Sequence, residues 1–272
     1  MAHYRAYVGP EEAYDLMAAT QFNLLTALGL REGHRLLDVG CGSLRAGRLL
    51  IPYLLPERYC GVEPDRELVD EGIRHEVGAD LVRQKRPRFA HTAEFEFESF
   101  GEVFDYVIAQ SIFSHAALDQ VRRCLDGLAA VTHRDSVAVA TYYEGERDHE
   151  GDTWTYPECV SYRPPTIERL AAEAGFRAAP LAWPHRHGQT WLLLLRSDRT
   201  APPPAIAAEW DAPRLEGERE ATRYRIATLA AERDRALARL AAMRSHPAVR
   251  AVLAARRLLL RMLRGVRRRG GG

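Results

Sequence analysis

Apolar residues recur at helical spacing over residues 11–29, EEAYDLMAATQFNLLTALG, where Leu16, Met17, Phe22, Leu25 and Leu28 carry the repeat and Gly29 supplies a stop. The pattern then changes period. RLLDV (35–39) is a short unbroken apolar run and predicts a buried strand, followed by a helix through Leu55 that Pro56 ends. YCGVEPD (59–65) predicts a second strand and residues 66–78 a helix; RFAHTAEF (88–95) predicts a third strand. FDYVIAQSIF (104–113) predicts a fourth strand, 117–131 a helix, and SVAVATYY (136–143) a fifth strand. A helix over 165–174 stops at Gly175, and FRAAPLAW and QTWLLLLR then read as a closing pair of strands.

Strands alternating with helices of this length imply βαβ units, hence an α/β fold with a doubly wound, mostly parallel seven-stranded sheet covered on both faces. The closing pair adds an antiparallel strand. The pattern ends near Ser197, which bounds a first domain at 1–198. RTAPPPAIAAEWDAP (199–213) is a Pro/Ala linker. Residues 214–244 read as a charged helix whose Ile226, Leu229, Ala236, Leu240 and Met243 approach heptad spacing, a candidate coiled-coil seam for homo-oligomer formation that Arg233 interrupts. Pro247 opens a last basic helix within 245–272, completing a C-terminal helical extension.

Composition alters this picture in only one place. The net charge of +1 is uninformative, but residues 245–272 hold eight arginines and no acid. Such a basic amphipathic helix reads as a contact for an anionic membrane surface, with docking on protein and phosphate neutralisation on nucleic acid as rivals. Cys41, Cys60, Cys124 and Cys159 form no CxxC pair, which argues against a zinc knuckle or redox couple. The N-terminus lacks a secretory pattern and no apolar run is long enough to span a bilayer, so the expected location is cytoplasmic, at the inner face of the membrane if the tail binds there.

The candidate chemistry begins at LLDVGCGSLRAGRLL (36–50). In an open parallel sheet, ligands sit beyond the carboxyl ends of the strands, and glycines in the first turn allow close backbone approach. Gly40 and Gly42 are present, but Arg45 stands where the dinucleotide fingerprint needs its third glycine, and no P-loop lysine follows. Asp38 at this turn suits an amino-acid ammonium better than a pyrophosphate. Glu63, at the end of the second strand, suits the two hydroxyls of a ribose lacking a 2′-phosphate.

LLDVGCG followed by CGVEPD resembles the first two motifs of the class I S-adenosylmethionine-dependent methyltransferases, and FDYVIAQSIFSHAALDQ with the closing strands extends the resemblance over residues 10–197. The resemblance implies a Rossmann-like methyltransferase fold with S-adenosyl-L-methionine as cofactor. It sets Asp38, Gly40, Cys41 and Gly42 against the methionine part of the donor, Glu63 on the ribose, Pro64 and Asp65 beside the adenine, and Gln110 at the donor from the fourth strand. The chain departs from the family at Leu44, where a third alternating glycine is common. A third-strand acid beside the adenine is not evident among His91, Thr92 and Glu94.

For the acceptor, a hydroxyl would need a base, and imidazole has the right ordinary pKa. His115 follows the fourth strand and is one candidate; a helix-capping or packing histidine is the other reading. His185 and His187 sit in the last turn, of which His187 is the second catalytic candidate, against a solvated loop. DHEGD (148–152) is either a hard-cation cluster or a charged loop, and no metal is assigned. Tyr142, Tyr143, Trp154, Tyr156 and Tyr162 form either a candidate aromatic acceptor wall or a loop folded onto its own core, and the resemblance implies that the segment with Tyr7, Tyr14 and Gln21 closes over the donor. The expected activity is O-methylation of a small molecule or glycan, including a lipid-linked or cell-surface saccharide. The alternative is a non-catalytic or nucleic-acid-associated module that keeps the fold.

Overall fold

The computed structural model describes residues 3–202, 204, 233–235 and 237–238. The chain divides into two compact units, residues 1–207 and 208–272. The linker beyond residue 204, the charged helix 214–244 and the basic helix 245–272 lie outside the described residues, except that 233–235 and 237–238 are helical.

The first unit runs α1 (Tyr14–Ala27), β1 (Leu36–Val39), α2 (Gly47–Tyr53), β2 (Tyr59–Val62), α3 (Arg66–Gly72), α4 (Ala79–Lys85), β3 (Arg88–Ala90), β4 (Phe104–Ala109), α5 (Leu118–Ala130), β5 (Thr132–Glu144), β6 (Ser161–Tyr162), α6 (Pro164–Glu173), β7 (Phe176–Leu181) and β8 (Thr190–Arg196). Seven strands follow the order β3-β2-β1-β4-β5-β8-β7, and the two-residue β6 pairs with β5 off this path. The neighbours from β3 to β5 are parallel, while β8 is antiparallel to both β5 and β7. This is the expected doubly wound sheet, with β6 as an addition.

Strand alternation sorts the core into two layers. Leu37, Val39, Val107, Ala109, Ala138, Leu192 and Leu194 point to one face, under α5 and α6. Leu36, Tyr106, Ile108, Val137, Val139, Trp191, Leu193 and Leu195 point to the other, under α1, α2 and α3. Both faces of the central strands are therefore apolar, which is why β1 and β8 read as unbroken runs rather than alternating ones.

Several boundaries differ from the sequence pattern, each for a local reason. β3 stops at Ala90, because Thr92 Oγ1 turns the chain by accepting from Glu94 N, and Phe95 has φ +58°. β4 stops at Ala109, since Ser111 has φ +60° and cannot continue a strand. The helix after β2 passes from α3 into a π-helical stretch, Ile73–Val77. Tyr142 and Tyr162 are fully packed in the core beneath α6 rather than on an acceptor wall. β5 carries Tyr142 inward, and Tyr162 donates its hydroxyl to Ala116 O at 2.6 Å. No helix among the described residues is long and apolar enough to cross a membrane.

Candidate active site

The turn after β1 is built on three alternating left-handed residues: Gly40 at φ +70°, Gly42 at φ +55° and Leu44 at φ +60°. The left-handed angle favours glycine at the first two, and a Cβ there would also displace the end of Ile112 at Gly40 and of Val8 at Gly42. Leu44 keeps the same backbone course with a side chain. That side chain is fully buried among the residues under α2.

Glu63 reaches across from the end of β2. Its Oε2 accepts from Gly42 N at 3.1 Å and its Oε1 from Asp65 N at 3.1 Å, so the carboxylate is fixed while each oxygen keeps a lone pair. Burial pushes its pKa up, against the two N–H donors that lower it. Asp65 caps α3 by accepting from Glu67 N and Leu68 N, leaving Leu68 exposed to the same space.

These residues line a cavity of about 560 Å³ at the carboxyl edge of β1, β2, β4 and β5. Gly40, Gly42, Glu63 and Asp65 form its donor-turn side, joined by Leu68, Arg45, Gln110, Ser111 and Ile112. Tyr143, Trp154, Tyr156, Cys159, His115, His187 and Gln189 also line it, together with Tyr7 to Pro10. Among the described residues no cluster of His, Cys, Asp and Glu is arranged to hold a metal ion. In DHEGD, Asp148 is taken up by Arg163 and by Thr166 Oγ1 at the start of α6, the charged-loop reading.

Three residues assigned to the donor by resemblance do not line the cavity: Asp38, Cys41 and Pro64. Asp38 shares the sheet face of Leu36, beneath α2, and accepts from Tyr59 Oη at 2.7 Å. Burial pushes it up to about 6, with Tyr59 and Arg45 pulling the other way. It braces the end of β1 against β2. Cys41 turns its thiol onto Gly61, where a Cβ would meet it at 2.8 Å. His91, Thr92 and Glu94 also stay outside: His91 Nδ1 donates to Glu63 O and Glu94 pairs with Arg123.

Gln110 is the hub of a buried polar network. Its Oε1 accepts from Gln21 Nε2 at 2.8 Å and from Arg45 Nη2. Its Nε2 donates to Ser111 Oγ at 2.5 Å, an oxygen that also accepts from Gln189 Nε2 at 2.8 Å. Ser111 therefore has its own hydroxyl proton free to donate elsewhere. Neither Ser111 nor Leu68 carried a sequence signal, because their roles depend on a strand ending and on a cap.

The N-terminal segment bonds to the turn from above. Tyr14 Oη donates to Ser43 O at 2.8 Å, and Arg45 Nη1 donates to Val8 O. Tyr156 Oη donates to Tyr7 O at 2.9 Å from the other side. Farther out, the side chain of Glu76 in the π-helical stretch accepts from Tyr4, Arg5 and Arg48.

His115 is held by its ring. Only a donor can face a carbonyl oxygen, so Nδ1, 2.7 Å from Glu158 O, carries the proton. In the neutral ring Nε2 is then a lone-pair acceptor. Tyr156 and Trp154 flank the ring, with centroids 5.2 and 5.8 Å away. Burial lowers the pKa of His115, which keeps it neutral at physiological pH. His187 lies beside Arg45, and its buried Nε2 has no hydrogen-bond partner.

Residues 37–137 match the family model described as a methyltransferase domain. Among solved structures, magnesium protoporphyrin IX methyltransferase from Synechocystis with bound SAH superposes with a TM-score of 0.53 at 16% identity, covering 69% of this chain and 84% of that one. A S-adenosylmethionine-dependent methyltransferase from Clostridium acetobutylicum gives 0.51 at 12% identity, over 71% and 96%. Streptomyces venezuelae DesVI gives 0.51 at 14% identity, over 70% and 94%. No curated protein matches the chain in sequence. The turn after β1, the acid at the end of β2 and the strand order accompany a Rossmann-like methyltransferase fold. Residues 37–137 of the chain thus match a methyltransferase domain, set within a Rossmann-like methyltransferase fold.

Proposed function

We propose that the chain methylates a hydroxyl of a small molecule or glycan, with His115 as general base. The observation that carries this reading is a neutral imidazole in the cavity wall whose Nδ1 is fixed on Glu158 O and whose Nε2 is unengaged. In the reaction the acceptor oxygen attacks the methyl carbon in line with the sulfonium, the carbon–sulfur bond breaks, and Nε2 takes the hydroxyl proton. Positioning supplies most of the acceleration, up to roughly 7–11 kcal/mol, and a base adds about 10²–10⁴-fold.

On the donor side, Glu63 takes both ribose hydroxyls, Leu68 and Asp65 border the adenine, and the open backbone at Gly40 and Gly42 runs along the methionine chain. Gln110 orients Arg45 and Ser111 around that chain. Trp154 and Tyr156, at 43% and 44% exposed, supply faces on which a sugar or an aromatic ring stacks. The membrane-face proposal rests on the arginines of residues 245–272 alone. It predicts that the full chain sediments with anionic but not neutral vesicles, and loses that binding in high salt.

Titration calorimetry with S-adenosylhomocysteine and with a nicotinamide dinucleotide tests the donor; only the former is expected to bind. A screen of hydroxylated acceptors, read by donor-dependent release of S-adenosylhomocysteine, tests the acceptor class. Turnover confined to amine or thiol acceptors would overturn the O-directed reading.

A further inference from the structure

Arg45 is only 9% exposed, yet among the described residues it meets no carboxylate at ion-pair distance. Asp38, the acid nearest in field, is engaged by Tyr59 and lies under the turn. Of the five guanidinium N–H groups, two are used, on Val8 O and Gln110 Oε1, and the buried Nε has no partner. A buried cation without a counter-ion is costly and is seldom kept unless something fills the gap.

The gap has a location. Gly9 leaves a notch in the cavity wall, where a Cβ would lie 3.7 Å from Arg45 Nη1 and 3.9 Å from His187 Nε2. All three residues line the cavity, and His187 Nε2 is the second orphaned nitrogen there. The groups bonded beside Arg45 are neutral amides, Gln110 and through it Gln21, while Asp38 and Glu12 act on Arg45 and His187 only through space, without an ion pair.

We propose that the Gly9 notch, flanked by Arg45 and His187, is a carboxylate-binding site that receives an acidic group of a ligand seated in the cavity. A planar guanidinium fork matches a carboxylate, and a neutral imidazole adds one N–H donor. The inference rests on the donor reading above. Two sources share this chemistry: the α-carboxylate of the donor and an acid carried by the acceptor.

Four probes separate them in calorimetry on the full chain. S-adenosylhomocysteine is compared with 5′-methylthioadenosine, which lacks the amino-acid part. 4-Hydroxybenzoate is compared with 4-hydroxybenzamide. If the carboxylate is the donor's, Arg45→Met weakens S-adenosylhomocysteine about 10- to 100-fold, as losing hydrogen bonds to a charged group does, and leaves 5′-methylthioadenosine unchanged. If it is the acceptor's, Arg45→Met spares both nucleosides and removes a wild-type preference for the benzoate over the benzamide. Should Arg45→Met not fold, His187→Phe, which removes the second donor of the notch, is expected to weaken the same charged probe selectively. Equal loss of both nucleosides, or no charge preference in either pair, overturns the proposal. If neither nucleoside binds the wild-type chain, the donor reading fails instead, and the benzoate pair alone decides the notch.

Discussion

Leu44 packs its side chain over the bare backbone of Gly72: a Cβ at Gly72 would stand 3.0 Å from Leu44 Cγ and closer still to Ser43 O. The left-handed leucine in the donor turn is possible because a glycine in α3 makes room for it. Gly47 does the same from α2, where a Cβ would meet Leu44 Cδ2 at 3.2 Å. A single left-handed non-glycine residue costs on the order of 1–2 kcal/mol, while deleting a buried leucine costs about 2–5 kcal/mol.

Burial wins that comparison, so Leu44→Gly is expected to destabilise by about 1–3 kcal/mol despite relieving the backbone. Gly72→Ala is expected to destabilise as well, because backbone rather than a flexible side chain opposes the added methyl. Denaturant unfolding of both variants measures this. A more stable Leu44→Gly protein would show that strain outweighs packing here.

Glu63→Gln keeps the shape but removes the charge that faces the proposed ribose and holds the N–H groups of Gly42 and Asp65. Affinity for S-adenosylhomocysteine is expected to fall roughly 10- to 100-fold, the worth of one or two hydrogen bonds to a charged acceptor. Calorimetry reads this directly, and unchanged binding would remove Glu63 from the donor site.

His115→Asn is expected to lower kcat by about 10²–10⁴-fold while leaving S-adenosylhomocysteine affinity intact. The active form is the neutral ring, and burial holds its pKa below the ordinary value. The wild-type rate should therefore fall only below about pH 6.5 and stay flat above it. A rate that still climbs through pH 8 would assign the base elsewhere.

His185 makes a prediction about stability. Burial, His187 and Arg45 push it down to about 4, so the folded chain binds fewer protons than the unfolded chain between that value and the ordinary one near 6.5. Its contribution is present above pH 6.5 and is lost, by about 3 kcal/mol, as pH falls toward 4. Asp38, raised to about 6, acts with the opposite sign in an overlapping range, since its contribution is lost as pH rises toward 6. The two partly cancel in the wild-type chain. His185→Asn should flatten the acid limb relative to wild type and Asp38→Asn should steepen it, in unfolding curves taken from pH 4 to 7.

The fold was legible because period is a property of short windows. β1, β2, β4, β5 and β8 were all visible as runs, and the helices between them as repeats. Strand ends were less so: Ser111 and Phe95 adopt left-handed angles that their side chains do not advertise. In the site, Glu63 was readable from its distance to the glycine turn, but the direction of Asp38 was not. Which sheet face a strand residue occupies follows from packing across α2 and Tyr59, which are distant in sequence. Arg45 counted in the sequence only as an obstacle to a dinucleotide. Its lack of a counter-ion is a fact about three-dimensional neighbours, as is the joining of Tyr142 and Tyr162 to the core instead of to Trp154.

The hydrogen bond from Tyr156 to Tyr7 O joins the cover of the donor turn to the aromatic loop opposite. Displacing Tyr7 to admit or release a ligand would break that bond, while the loop bearing Trp154 keeps its backbone bonds to His115 O and Ser114 O. Cover and loop thus share one latch, and release of a spent donor is expected to loosen the aromatic wall proposed for the acceptor. Tyr156→Phe is expected to loosen that linkage, seen as a change in product-inhibition pattern with little change in donor affinity.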